Sequence, residues 1–147
     1  MNALAATMSP RVNLWVVASD LDILGPVPYR LNDIVVTSPT ELVAVVDARA
    51  EVRAVRREGQ LWRVDWASGA ATLWVGGLRG GDLDPVVIGI HVEADGSFVV
   101  TDQRGFVYRV MPDGSWTTLY DVGSAAYDAI PLPDGSLVVA AFDGFHR

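Results

Sequence analysis

The chain has 147 residues, half of them hydrophobic, with 18 Asp and Glu against 11 cationic side chains, a formal charge of −7 and an isoelectric point near 4.6. Its apolar residues fall in short runs, none near the roughly 18 that a membrane helix needs, and they are too numerous for a disordered chain. Duplex nucleic acid is not expected as a partner, because a net-negative chain lacks the phosphate contacts that release counterions. The expectation is one soluble, acidic, β-rich domain over residues 1–147, with no nucleic acid and no membrane among its partners.

There is no cysteine, which removes disulfides, thiolate catalysis and cysteine-ligated zinc. There is no lysine either, so Schiff-base chemistry has no amine to use. Heavy use of Ala, Val, Arg, Gly and Asp without Lys reads as a GC-rich bacterial coding sequence.

In chain order, Met1 to Met8 offers no basic region and no sustained apolar core before Pro10, so no secretory signal is expected and the cytoplasm is the default. Residues 11–18 read as a spare strand. Strands are then expected near 33–37, 42–47, 52–57 and 60–66, with 71–75 at a rim. Gly76 to Asp82 is a glycine-rich loop that lacks the lysine and helix of a phosphate loop. Val86 to Ile90 is a continuous apolar run, as in a strand buried on both faces. Phe98 to Thr101, Phe106 to Val110 and Trp116 to Tyr120 follow as strands, separated by turns at Asp95-Gly96-Ser97, Asp102 to Gly105 and Asp113-Gly114-Ser115. Asp bonds its own downstream backbone in such turns and Gly supplies positive φ. A last unit begins at Ala125 and stops at Arg147 after two strands and a stub.

The chain resembles itself. Leu61-Trp62-Arg63-Val64 and Val107-Tyr108-Arg109-Val110 share a pattern at an offset of 46, which Leu73-Trp74 and Leu119-Tyr120 keep. Asp95 to Val100 recurs at an offset of 39 as Asp134 to Val139, and Arg104-Gly105-Phe106 recurs there as Asp143-Gly144-Phe145. Glu41 to Asp47 lines up with Gly96 to Asp102 at an offset of 55. Short strands at such periods predict an all-β fold of β-propeller-type, four-stranded antiparallel blades. The units are 30–76, 85–121 and 125–147, with 11–18 able to complete the last. About three blades make a half-propeller, whereas closed propellers carry roughly four to eight. Two copies about a two-fold axis would close a six-bladed ring, so a homodimer is expected; an open stack of sheets is the alternative.

Arg30 to Val36 followed by Glu41 to Asp47, and the hairpin Gly105 to Gly114, resemble the gluconolactonase and strictosidine-synthase-like six-bladed propellers, and the NHL-repeat propellers as well. The resemblance implies, for its lactonase branch, a divalent cation such as Ca²⁺ held at an axial channel by oxygen ligands. By motif position Asn32 and Asp33 would face that channel, with Asp128 comparable in the third unit, one position out of register. The second unit offers Val87, Ile88 and Gly89 there, and Leu24-Gly25-Pro26-Val27 stands where the family carries Glu-Gly-Pro-Val. Read from the residues alone, Asn32-Asp33 is turn chemistry at the start of a strand, and Asp128 is a solvated carboxylate.

Trp62, Trp74, Trp116 and Tyr120 either stack on a small molecule or glycan or fill the wedge between blades. His91 and His146 are lone histidines, and no serine lies in a nucleophile elbow. Arg49, Arg53, Arg56 and Arg57 form one positive stripe, which also suits an edge-protecting strand. No catalytic set is assignable and no cofactor is expected. The function expected is a self-associating binding or interaction scaffold. The alternatives are an axial-metal lactonase or related hydrolase, and a carbohydrate-binding module.

Overall fold

A computed structural model of the chain describes residues 29–48, 58–79 and 86–147. The expected strands at 11–18 and 52–57, the arginine stripe 49–57, Leu24 to Val27 and the end of the Gly76–Asp82 loop lie outside these residues. The described chain is all-β: eleven strands form three antiparallel sheets. The first holds β1 (Tyr29–Val36), β2 (Glu41–Ala48), β3 (Glu58–Asp65) and β4 (Ala70–Leu78). The second holds β5 (Val87–Val92), β6 (Phe98–Asp102), β7 (Phe106–Val110) and β8 (Trp116–Asp121). The third holds β9 (Ala126–Pro131), β10 (Leu137–Ala141) and β11 (Gly144–His146). Every strand pairs with its chain neighbour, so each sheet is a meander.

The hairpins follow from local chemistry. At Asp95-Gly96-Ser97 the Asp95 Oδ1 accepts the Ser97 N–H at 2.9 Å and its hydroxyl at 2.6 Å. Gly96 supplies the left-handed φ of +83° that closes the turn. Asp113 with Ser115 and Asp134 with Ser136 repeat the same bonds.

The first strand of each sheet carries one extra residue. Leu31 pairs with Val46 and Asp33 with Val45, leaving Asn32 as a bulge. Ile88 bulges in the same way between Val87 and Gly89, and Tyr127 between Ala126 and Asp128. Equivalent places are therefore Asp33, Gly89 and Asp128, and the offset from the first sheet to the second is 56 rather than 55. Asp128 is thus in register with Asp33, correcting the one-position displacement expected from sequence.

Two further offsets also change. Arg63 pairs with Thr72 and Arg109 with Thr117, so β4 and β8 correspond at 45, not 46. Trp74 then matches Leu119, and Val75 matches the exposed Tyr120. In the third sheet Ala140 faces Phe145, whereas Thr101 faces Val107, because the β10–β11 turn is one residue shorter. Phe145 thereby takes the place of Val107, and His146 that of Tyr108.

Alternation along the strands builds the core between sheets. Val43, Val45, Leu61 and Val75 of the first sheet meet Val87, Ile90, Phe98 and Val100 of the second. Val99 and Val107, on the second sheet's other face, meet Ala126, Ala129, Leu137 and Val139 of the third. Tyr108 is fully buried, and its ring meets Trp116 edge-on at 5.7 Å. Its hydroxyl donates to Asp102 Oδ2 at 3.1 Å. Asp102, also fully buried, accepts the N–H groups of Val86 at 3.2 Å and Arg104 at 2.7 Å through Oδ1. A buried carboxylate is tolerable only with such partners.

Candidate functional site

The bulges set where the polar side chains of the first strands point. In β1, Asn32 Nδ2 donates to the Val87 carbonyl at 2.6 Å, tying the first sheet to the second. Asp33 Oδ1 accepts the Ile34 N–H at 2.8 Å, and Oδ2 accepts the Ile90 N–H at 3.0 Å. The residues nominated as cation ligands thus spend hydrogen-bonding capacity on backbone groups of two sheets.

Asp128 repeats the local half of this arrangement. Its Oδ1 accepts the Ala129 N–H at 2.9 Å, as Asp33 does with Ile34. The same oxygen lies 3.0 Å from His91 Nε2, joining β9 to β5. A carboxylate that holds one ring nitrogen fixes the orientation of the imidazole. Between the two strands Thr101 Oγ1 donates to the Tyr127 carbonyl at 3.2 Å, so that hydroxyl already has an acceptor. Gly89 makes the approach possible: a Cβ there would lie 2.6 Å from Thr101 Oγ1 and 2.8 Å from the Tyr127 carbonyl oxygen.

The three carboxamide and carboxylate residues are therefore inter-sheet ties at the first strands. Among the described residues no group of three or more His, Asp or Glu side chains is placed to hold a metal ion. His91 stands alone in the sequence; its partner, Asp128, lies 37 positions on in the next sheet. No local spacing could signal that pair.

The aromatic candidates separate by burial. Trp62 is 8 % exposed, in the apolar cluster on the first sheet's far face. Trp74 meets Phe98 edge-on at 5.2 Å, with the Arg63 guanidinium 4.2 Å from its ring centre. Trp116 lies against Tyr108. Trp74 and Trp116 thus pack between the first and second sheets, and Trp62 packs among residues of the first sheet. Tyr120 is 53 % exposed and borders a groove of 300 Å³ beside β11. A second groove, of 520 Å³, runs between the β5–β6 and β9–β10 turns, with Glu93 and Asp95 on one wall and Pro131 and Pro133 on the other.

Charge at the surface is locally neutralised or held by turns. Arg109 makes a two-pronged pair with Glu93 at 2.8 and 2.9 Å. The Ser97 hydroxyl, then its N–H, hold the Asp95 carboxyl below the usual carboxylate range. Ser115 does the same for Asp113, and Ser136 for Asp134. For Asp143 the Ser124 hydroxyl leads, followed by His146 at 2.8 Å.

No protein-family model matches the chain, and no curated protein is similar to it. No helix among the described residues is long and apolar enough to cross a membrane.

Proposed function

We propose that this protein is a cytoplasmic interaction scaffold of propeller-type units, and that its first partner is a second copy of itself. The observation that carries the reading is the outward face of the third sheet. In the second sheet the equivalent face, with Val99 and Val107, is covered by its neighbour. In the third sheet the same places hold Val138 and Phe145, joined by Ile130 and Ala140 through the pairs Ile130–Val138 and Ala140–Phe145. Ile130 is 49 % exposed and Phe145 82 %.

A contiguous apolar face of this kind marks an interaction surface. A two-fold axis gives each copy a neighbour for that face, and six units fall within the range of closed rings.

Light scattering during gel filtration tests the reading. A dimer is expected, converted to monomer by Ile130→Ser with Phe145→Ser while the β-sheet circular dichroism is unchanged. A compact monomer of the unaltered chain at high micromolar concentration would overturn it.

A further inference from the structure

We infer that the seam between the second and third sheets is a proton-dependent clasp. With its second proton the His91 imidazole holds Asp128 as an ion pair across the seam; without it, the third sheet opens more readily.

The pair is placed to do this. His91 Nε2 in β5 lies 3.0 Å from Asp128 Oδ1 in β9, so the contact runs from one sheet to the next. The two side chains are 38 % and 44 % exposed, and solvent reaches the ring without any unfolding. A neutral ring donates a hydrogen bond to the carboxylate. A charged ring adds the attraction of opposite charges to that bond.

The remaining ties between sheets have no such group. Asn32 and Thr101 donate to the carbonyls of Val87 and Tyr127, and neither carries a charge. Asp33 holds the Ile90 N–H with a carboxylate. Histidine is the side chain that ordinarily changes charge between about pH 5 and 8. The chain's other histidine, His146, bonds Asp143 in the turn of its own hairpin and crosses no seam.

Among the described residues, few charges surround the ring. Pairing through Val99 puts Arg109 on the same face of the second sheet, where Glu93 takes it at 2.8 and 2.9 Å. Asp102 of β6 is bonded to Tyr108 on the opposite face. Asp33 reaches the adjoining residue from β1, and β10 has no charged side chain. Glu93 and Arg109 offset each other, which leaves Asp128 as the direct partner of a charge on His91.

The apolar part of this seam is modest. Its buried cluster is Val99, Val107, Ala126, Ala129, Leu137 and Val139, with two alanines and no aromatic ring. The cluster between the first and second sheets includes Leu61, Ile90, Phe98 and Tyr108. Small side chains bury less apolar area, so one polar pair carries a larger share of the docking of the third sheet. Its contribution is complete where the imidazole is charged and is lost as pH rises and the ring discharges. The inference stands whether or not two copies associate.

Amide hydrogen exchange at pH 5.5 and pH 8, corrected for the pH dependence of free-chain exchange, tests the clasp. Protection of the β9 and β10 amides is expected to fall about two- to fivefold from the lower pH to the higher, the range of a part-exposed ion pair. The amides of β2 and β3 should not change. His91→Gln, and separately Asp128→Asn, should abolish the difference, while His146→Gln should retain it. Circular dichroism checks that each variant keeps its sheets, and either of the first two suffices if the other does not fold. Equal protection at the two pH values in the unaltered chain would overturn the inference, as would a difference that survives His91→Gln.

Discussion

Asp33 in β1 accepts the backbone N–H of Ile90 in β5 at 3.0 Å, while its other oxygen holds the N–H of Ile34 in its own strand. One side chain thus stabilises a strand and docks the neighbouring sheet on it. Each N–H is bonded to an anionic acceptor, the stronger class of hydrogen bond. Removing that acceptor leaves the Ile90 donor unpaired in a part-buried place. Asp33→Ala is expected to cost about 1–3 kcal/mol in urea unfolding. Asp33→Asn, which retains one acceptor oxygen, should cost less. Equal losses for the two variants would show that the carboxylate does not bridge the sheets.

Gly89 is a second junction. A methyl group there meets the Thr101 hydroxyl and the Tyr127 carbonyl, one a movable side chain and the other backbone. Gly89→Ala is expected to destabilise by about 1–3 kcal/mol through overpacking. Adding Thr101→Ala should recover part of that loss and not all of it, because the Tyr127 carbonyl remains. Wild-type stability of Gly89→Ala would mean that the second and third sheets sit further apart.

Asp102 and Tyr108 form a buried pair whose two members are unequal. Tyr108→Phe removes the hydrogen bond to Asp102 and should cost about 1 kcal/mol. Asp102→Ala removes one carboxylate bonded by the Tyr108 hydroxyl and by the N–H groups of Val86 and Arg104, and should cost more than twice as much. Chemical denaturation of both variants, read by tryptophan fluorescence, checks the order. The reverse order would remove Asp102 from its place at the head of the second sheet.

Acid should weaken the fold through its turns. Asp65, Asp95, Asp113, Asp134 and Asp143 all titrate below the ordinary value of 3.8, held there by hydroxyl and N–H donors of the native state. A carboxylate depressed by folding stabilises fully above its unfolded value and loses that contribution as pH falls through its folded one. The urea midpoint is therefore expected to hold steady down to about pH 4 on their account and to fall below it. Combined Ser97→Ala, Ser115→Ala and Ser136→Ala substitutions should flatten that fall. An unchanged acid limb would show that the serine hydroxyls do not hold these carboxyls down.

How far these relationships can be read from the chain depends on what each leaves in local composition. The strands and the Asp-Gly-Ser turns are legible because alternation and turn chemistry act within a few residues. Trp74 and Trp116 fall in the last strands of the first and second sheets, where alternation and turn spacing place strands in the sequence. The bulges were not legible. Asn32, Ile88 and Tyr127 share no chemistry, so an extra residue in each first strand leaves no compositional mark. The equivalence of Asp33 and Asp128 was hidden for that reason, and so was the pairing of Asp128 with His91. The Leu-Trp and Leu-Tyr pairs show the opposite error: similar words that sit one residue apart in the sheets, because the β3–β4 and β7–β8 connections differ by one residue.

The meander order has a kinetic meaning. With each strand hydrogen-bonded to the one just before it, a sheet can complete itself as soon as its own residues have been synthesised. The search that remains is for face-to-face contacts, and among the described residues the main ones join consecutive sheets. Growth from the first sheet toward the third then follows the direction of translation. Low separation between contacting segments favours rapid folding. A chain ending at Asp121 and freed from the ribosome would already contain every strand of the first two sheets, with Val99 and Val107 waiting for the third.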